Sequence, residues 1–164
     1  NLRVQIGMLF QGGALFDSMT VEENVQFPMH MFSQMSDDEK RDRANEVIKR
    51  VNLINSNHKF PSEISGGMQK RVAIARAIVM NPKYLFCDEP NSDLDPQTYI
   101  LIDNLILEIT QEYNITTVIN SNDMNSVMEI GQNIVFLKNG FKEWEGSNKD
   151  IFRTDNKAVT DLNP

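Results

Sequence analysis

The sequence predicts an α/β fold built on a mainly parallel sheet, and three observations carry that reading. Short apolar stretches alternate with segments of helical spacing along the chain, the order that produces parallel sheets. The run Tyr84-Leu85-Phe86-Cys87 ends abruptly in Asp88 and Glu89, which reads as a buried strand delivering two carboxylates at its C-terminal end, where open α/β sheets bind ligands. Ser65-Gly66-Gly67 feeds directly into a helix expected from Met68 to about Met80. The free N–H groups and partial positive charge of such a helix start suit an anion such as phosphate.

Composition bounds the possibilities. A chain of 164 residues, 40% hydrophobic and 24% charged, is long enough for one domain with a core. A net charge of −7 speaks against a broad nucleic-acid-binding face. The single cysteine, Cys87, lies in an apolar strand and has no internal partner, which fits a reducing, cytosolic setting. No apolar run approaches the roughly 20 residues that span a bilayer, and no basic-plus-apolar leader is read at the start.

Taken in order, residues 3–11 alternate Val4, Ile6, Met8 and Phe10, with Leu9 also apolar, and read as a mostly buried strand ending in the turn Gln11-Gly12-Gly13. Residues 14–28 read as a loop and a short helix, opened by the capping box Thr20-x-x-Glu23 and stopped by Pro28. Phe16, Met19, Val21, Val25 and Phe27 are more apolar than so short a segment needs, and Met29, Met31, Phe32 and Met35 follow; most of these are expected in the core and the remainder to line an apolar groove. A second capping box, Ser36-x-x-Glu39, precedes Ala44, Val47, Ile48 and Val51 at helical spacing, giving a helix to about Asn52. Asp95 is a natural N-cap with Pro96 at the first helical position, and Ile102, Leu105, Ile106 and Ile109 make one buried stripe. Residues 115–120 read as a strand and 123–130 as a short helix. Residues 134–137 and 141–145 flank Asn139-Gly140, a strong hairpin turn. Ser147-x-x-Asp150 opens a last short helix, and residues 154–164 read as frayed.

The motifs together resemble the ATP-binding-cassette (ABC) ATPases. Residues 64–69 are similar to the family's signature motif, 86–90 to its Walker B strand, 92–96 to its D-loop, Gln11 to its Q-loop and residues 117–124 to its H-loop. The resemblance implies a P-loop NTPase-type nucleotide-binding domain with an inserted α-helical subdomain. It divides the chain into a core strand and Q-loop (1–19), the helical subdomain (20–80), a RecA-like α/β core (81–153) and a flexible tail (154–164). None of the eight glycines (7, 12, 13, 66, 67, 131, 140 and 146) opens the phosphate loop Gly-x-x-x-x-Gly-Lys-Ser/Thr. The expectation is therefore a chain without its N-terminal third, inactive by itself.

The resemblance also implies the chemistry. ATP and Mg²⁺ are the expected cofactors, with Asp88 holding Mg²⁺, Gln11 reaching the metal and the attacking water, and Glu89 as the general base. Asn122 stands where the family has His. Ser65, Gly66, Gly67, Gln69 and Asp95 would serve the ATP held by the other copy of a head-to-tail homodimer. Asp93 stands where Gly is usual, and with Asn122 it points to reduced activity. Transmembrane permease subunits would dock through the groove beside the Q-loop, at the cytoplasmic face of a bacterial inner membrane. Within the family, residues 10–21 and 65–71 are most similar to the ATPase subunits of Mla-type phospholipid (organic-solvent or toluene tolerance) transporters. A second expectation is a non-hydrolysing regulatory or vestigial interaction module.

Overall fold

Three of the expected strands pair as a parallel sheet in the order β1 (Ile6–Leu9), β2 (Tyr84–Asp88), β3 (Thr116–Asn120). A computed structural model of the protein describes residues 2–161. The chain forms two compact units, divided between Asn120 and Ser121. The sheet and helices α1 (Val21–Phe32), α2 (Asp37–Arg50), α3 (Gly66–Ile78) and α4 (Pro96–Glu112) make the first.

The register aligns Met8, Phe86 and Val118 in one row and Leu9, Cys87 and Ile119 in the next. Successive residues of a strand face opposite sides, so the rows belong to opposite faces. Leu9, Leu85 and Cys87 are at most 2% exposed and join the helical core. Met8, Tyr84, Phe86 and Val118, on the other face, are 37–50% exposed. The strands are thus covered on one face only, which corrects the expectation of a buried strand at residues 84–87 and a mostly buried one at residues 3–11. Strand β1 is also shorter than expected, because Leu2–Gln5 forms a 3₁₀ turn. Ile6 pairs with Tyr84, and ahead of Tyr84 only Lys83 donates back, to the Gln5 carbonyl (2.9 Å), since Pro82 has no N–H. Burial pushes the Cys87 thiol up to about 12, so it behaves as a small hydrophobe.

Both capping boxes form, Thr20 with Glu23 and Ser36 with Glu39. Pro28, however, lies inside α1 and does not stop it. An internal Pro costs about 3 kcal/mol. Val21, Val25 and Met29 are fully buried along one stripe, and each such side chain contributes roughly 1.5–3 kcal/mol. The stripe outweighs the break and carries the helix one turn further. The buried Asn24 ties down the preceding loop: its amide takes the Phe16 N–H and donates to the carbonyls of Phe16, Met19 and Thr20.

Helix α3 starts at Gly66, earlier than expected, with the Ser65 hydroxyl accepting the Met68 N–H (3.3 Å). Lys70, Val72, Ala73, Ile74, Ala75, Ala77 and Ile78 are all buried, so α3 packs on several sides at once. Two glycines permit this. A Cβ on Gly7 of β1 would sit 2.3 Å from the Ala77 carbonyl oxygen, and one on Gly67 would sit 2.6 Å from Cγ2 of Thr98 in α4. Arg43 of α2 caps the far end, donating to the Val79 carbonyl (3.0 Å) and to Asn81 Oδ1 (2.6 Å). Arg50 joins α2 to α4 through Glu112 (2.6 Å) and Glu108 (3.2 Å).

In the second unit Asp123 caps α5 (Met124–Ile130), and β4 (Ile134–Lys138) pairs antiparallel with β5 (Phe141–Gly146). Asn139 and Gly140 take φ of 52° and 81°, as the turn chemistry demands. The helix expected after Ser147 is a 3₁₀ turn, Ile151–Arg153. Residues expected to fray include a helix, α6 (Lys157–Thr160), capped by Asn156 and anchored by buried Val159. Residues 162–164 of that expectation lie outside the described residues. Among the described residues no helix is long and apolar enough to cross a membrane.

Gly67→Ala is expected to destabilise the first unit by about 1–3 kcal/mol through overpacking against Thr98. Thr98→Ser removes the obstructing methyl and keeps the hydroxyl, so the double variant should recover most of the loss in denaturant titrations. A Gly67→Ala protein as stable as wild type would refute the close-approach account.

Candidate functional site: the carboxyl rim of the parallel sheet

Because β1, β2 and β3 run parallel and in register, their C-terminal ends leave one edge of the sheet. That edge gathers Gln11, Asp88, Glu89 and Asn120. The Asn120 amide donates to Asp88 Oδ1 (2.8 Å), and its backbone carbonyl accepts the Glu89 N–H (2.9 Å). Glu89 takes a left-handed φ of 43°, turning the chain sharply off the strand. Gln11 lies exposed just beyond β1, and Gly12, Gly13 and Ala14 after it all have positive φ, of 73°, 81° and 46°. Arg76 of α3 holds this loop, donating to the carbonyls of Gly13 (2.7 Å) and Ala14 (2.9 Å) with its guanidinium 5.9 Å from the Phe16 ring centre. Burial lowers the Arg76 pKa from its ordinary value.

The glycine turn lies against the loop that follows the two acids. A Cβ on Gly66 would be 3.9 Å from Leu94 Cδ2, and Gly67 abuts Thr98. That loop is held at several points. Asn91 donates to buried Asp103 (2.6 Å), and Lys70 donates to the Ser92 hydroxyl (3.4 Å). Lys70 is only 4% exposed. Burial pushes its ammonium pKa down, and the Asp93 charge opposes that. Asp93 has φ of 63°, the left-handed region where glycine is most at ease. Asp95 caps α4, accepting from the backbone N–H groups of Gln97 and Thr98 (both 3.1 Å) and from the Thr98 hydroxyl. The Thr98 hydroxyl holds its carboxyl below the usual carboxylate range.

The expected site residues therefore fall in separate places. Gln11, Asp88 and Glu89 share the rim, and Ser65, Gly66 and Gly67 border the loop that leads to Asp95. Gln69, in contrast, turns inward and donates to the Pro61 carbonyl (2.9 Å). Asn122 belongs to the second unit, in an exposed bend just ahead of the Asp123 cap. Sequence reading missed the parts played by Asn120, Arg76 and Lys70. Arg76 carried a usable clue as the lone charge in Val72-Ala73-Ile74-Ala75-Arg76-Ala77-Ile78. Asn120 carried none until the register set it opposite Asp88.

Among the described residues no group of three or more His, Cys, Asp or Glu converges as a metal site. One carboxylate with neutral oxygen donors still fits Mg²⁺, which keeps most of its waters and takes one or two protein carboxylates. The residues at the rim thus suit a hydrated hard cation and not a cage-bound one.

The ABC transporter family matches residues 1–92. The chain is 44% identical over 152 residues to the methionine import ATP-binding protein MetN of Carboxydothermus hydrogenoformans, covering 93% of this chain and 45% of that protein. It is 39% identical over 158 residues to MetN 2 of Listeria innocua, covering 96% and 46%. The chain thus spans about half the length of these relatives. Among solved structures, the ATP-binding cassette MJ0796, in a dimeric post-hydrolysis state bound to ADP and Pi, superposes with a TM-score of 0.76 at 36% identity, covering 88% of this chain and 63% of that one. The structure of cbiO1 from Clostridium perfringens, part of the ABC transporter complex cbiONQ, gives 0.84 at 32% identity, covering 98% and 64%. Matched over more than half its length by the family and over most of it by these cassettes, the chain belongs to the ABC transporter family.

Proposed function

We propose that this chain acts in an ATP-hydrolysing subunit that energises an ABC transporter. The observation that carries the reading is the delivery of Asp88 and Glu89 side by side at the carboxyl rim of a parallel sheet. Asp88 would hold Mg²⁺, with Gln11 beside it across the rim. When bound, the cation supplies neutralising charge to the ATP phosphates. Glu89 accepts the proton of the attacking water, a role worth roughly 10²–10⁴-fold in rate. Ser65, Gly66 and Gly67 offer the N-terminal N–H groups of α3 to a phosphate held by a second copy, in a head-to-tail homodimer. Asp95, engaged in three capping bonds, would meet that interface through its Oδ2 edge. Gln69 acts indirectly, by fixing the approach to the turn through Pro61. The phosphate-loop sequence does not occur in residues 1–164, so these residues taken alone should bind ATP weakly.

The permease is the proposed partner, docking at a groove of about 320 Å³ lined by Met8, Phe10, Phe16, Phe27, Phe32 and Met80. Phe16 and Phe27 pack ring to ring there at 4.7 Å, giving the groove a firm aromatic wall. This would hold the subunit at the cytoplasmic face of the membrane. For the cargo, the relatives described above carry the name of methionine import, and uptake of methionine or a similar amino acid is the reading we adopt. Phospholipid transport rested on the resemblance of residues 10–21 and 65–71 and finds no support in those relatives.

A second reading, a non-hydrolysing regulatory module, is favoured by Asn122 and Asp93. An Asn amide donates a hydrogen bond but carries no positive charge, and a carboxylate at Asp93 adds repulsion near a phosphate-bearing interface.

In the complete gene product, Glu89→Gln should abolish turnover while leaving ATP affinity near wild type, measured by steady-state hydrolysis and by equilibrium nucleotide binding. Wild-type turnover in that variant would remove Glu89 as base. Asn122→His should raise the hydrolysis rate without tightening ATP binding. An unchanged rate would show that Asn122 does not limit the reaction, and no hydrolysis in either wild type or Asn122→His would favour the module.

A further inference from the structure

Asn120 ends β3 directly opposite Asp88 in the parallel register. It braces both acids at once, taking the Glu89 N–H on its backbone carbonyl (2.9 Å) and donating its side-chain amide to Asp88 Oδ1 (2.8 Å). The first bond is available to any residue at this position. The second needs a side chain of the right reach that carries a donor. Asp88 is exposed, and the terminal torsion of an exposed carboxylate has a broad, shallow preference, so without that donor the group would sample many orientations.

We infer that Asn120 is a positioning residue for the metal-binding carboxylate, presenting Asp88 to the divalent cation with one oxygen already fixed. This rests on the reading of Asp88 as the Mg²⁺ ligand. The chemistry of the donor matters. An amide orients a carboxylate through a hydrogen bond yet brings no charge, so the full negative charge of Asp88 stays available to the cation. A Lys or Arg at the same place would orient Asp88 and compete with the metal, and an Asp would repel it. Partners behind a metal ligand commonly set affinity in this way. Because the same residue receives the Glu89 N–H, the metal ligand and the proposed base are indexed to one point on β3. The left-handed turn at Glu89, φ 43°, is thereby anchored on both of its sides.

The test uses Asn120→Val and Asn120→Ala in the complete gene product. Both keep the backbone carbonyl that serves Glu89, and Val suits a strand, so the loss is confined to the amide. Mn²⁺ binding to the ATP-loaded protein, followed by electron paramagnetic resonance, should weaken about 10-fold or more. The Mg²⁺ concentration giving half-maximal hydrolysis should rise in parallel, while kcat at saturating Mg²⁺ and ATP changes little. Melting curves verify that each variant is folded. Wild-type Mn²⁺ affinity in a folded variant, or a loss confined to kcat, would overturn the inference. Asp88→Ala separates the two levels. If it binds Mn²⁺ like wild type, the metal role of Asp88 fails and the inference with it. If it loses Mn²⁺ while the Asn120 variants do not, the inference alone is wrong.

Discussion

Helix α3 has almost no free side, and the first unit is arranged around that fact. Its buried residues, Val72, Ala73, Ile74, Ala75, Ala77 and Ile78, are mostly small, so neighbours come in close. β1 reaches its backbone at Gly7, and α4 reaches its first turn at Gly67. Interiors are packed as densely as organic crystals, and a single added methyl group at such a contact has nowhere to go. The same closeness links the N-terminal end of the helix to the loop that carries Asp93 and Asp95. Gly67 of the turn is therefore required by packing alone. Gly67 makes room for Thr98, whose hydroxyl and backbone N–H both bond Asp95.

Polar side chains then lock the loops onto this frame. Arg76 takes two carbonyls of the loop after Gln11, and Lys70 takes Ser92. Both cations spring from the same helix, and each is largely withdrawn from water. Removing a charged group from water is costly unless its bonds are met, and these bonds are what make the placement tolerable. Helix α3 is thus bonded to both loops. The loop beside Phe16, the glycine turn and the loop leading to Asp95 all contact this one helix.

The sheet tells the complementary story. One face of β1, β2 and β3 is packed against helices, while the other leaves Met8, Phe10, Tyr84, Phe86 and Val118 exposed. Parallel sheets are ordinarily covered on both faces, whereas residues 2–161 cover one face of this sheet. The rim is what the sheet contributes to chemistry. In-register parallel strands bring Gln11, Asp88, Glu89 and Asn120 to a common edge although more than a hundred residues separate the first from the last.

Local chemistry was legible in the sequence wherever a few adjacent residues decide the outcome. The capping boxes at Thr20 and Ser36, the Asp95 cap and the Asn139-Gly140 turn could all be read from short-range hydrogen bonding and φ preference, and they stand in the structure as read. The paired acids after β2 were legible for the same reason. Pro28 was misread because its local cost is overcome by the buried stripe of Val21, Val25 and Met29, which is a property of packing. Which face of β2 is covered was not legible in its own residues, since an apolar run does not state how many of its faces find a partner. Asn120 and Arg76 acquired their meaning only through residues 32 and 62–63 positions away in the chain. The sequence by itself determined most of the helices and strands, several of their caps and the placing of two adjacent acids at the end of β2. The tertiary structure alone decided which faces are covered, where Gln69 points and what holds Asp88, because those outcomes depend on distances between segments that no local pattern encodes.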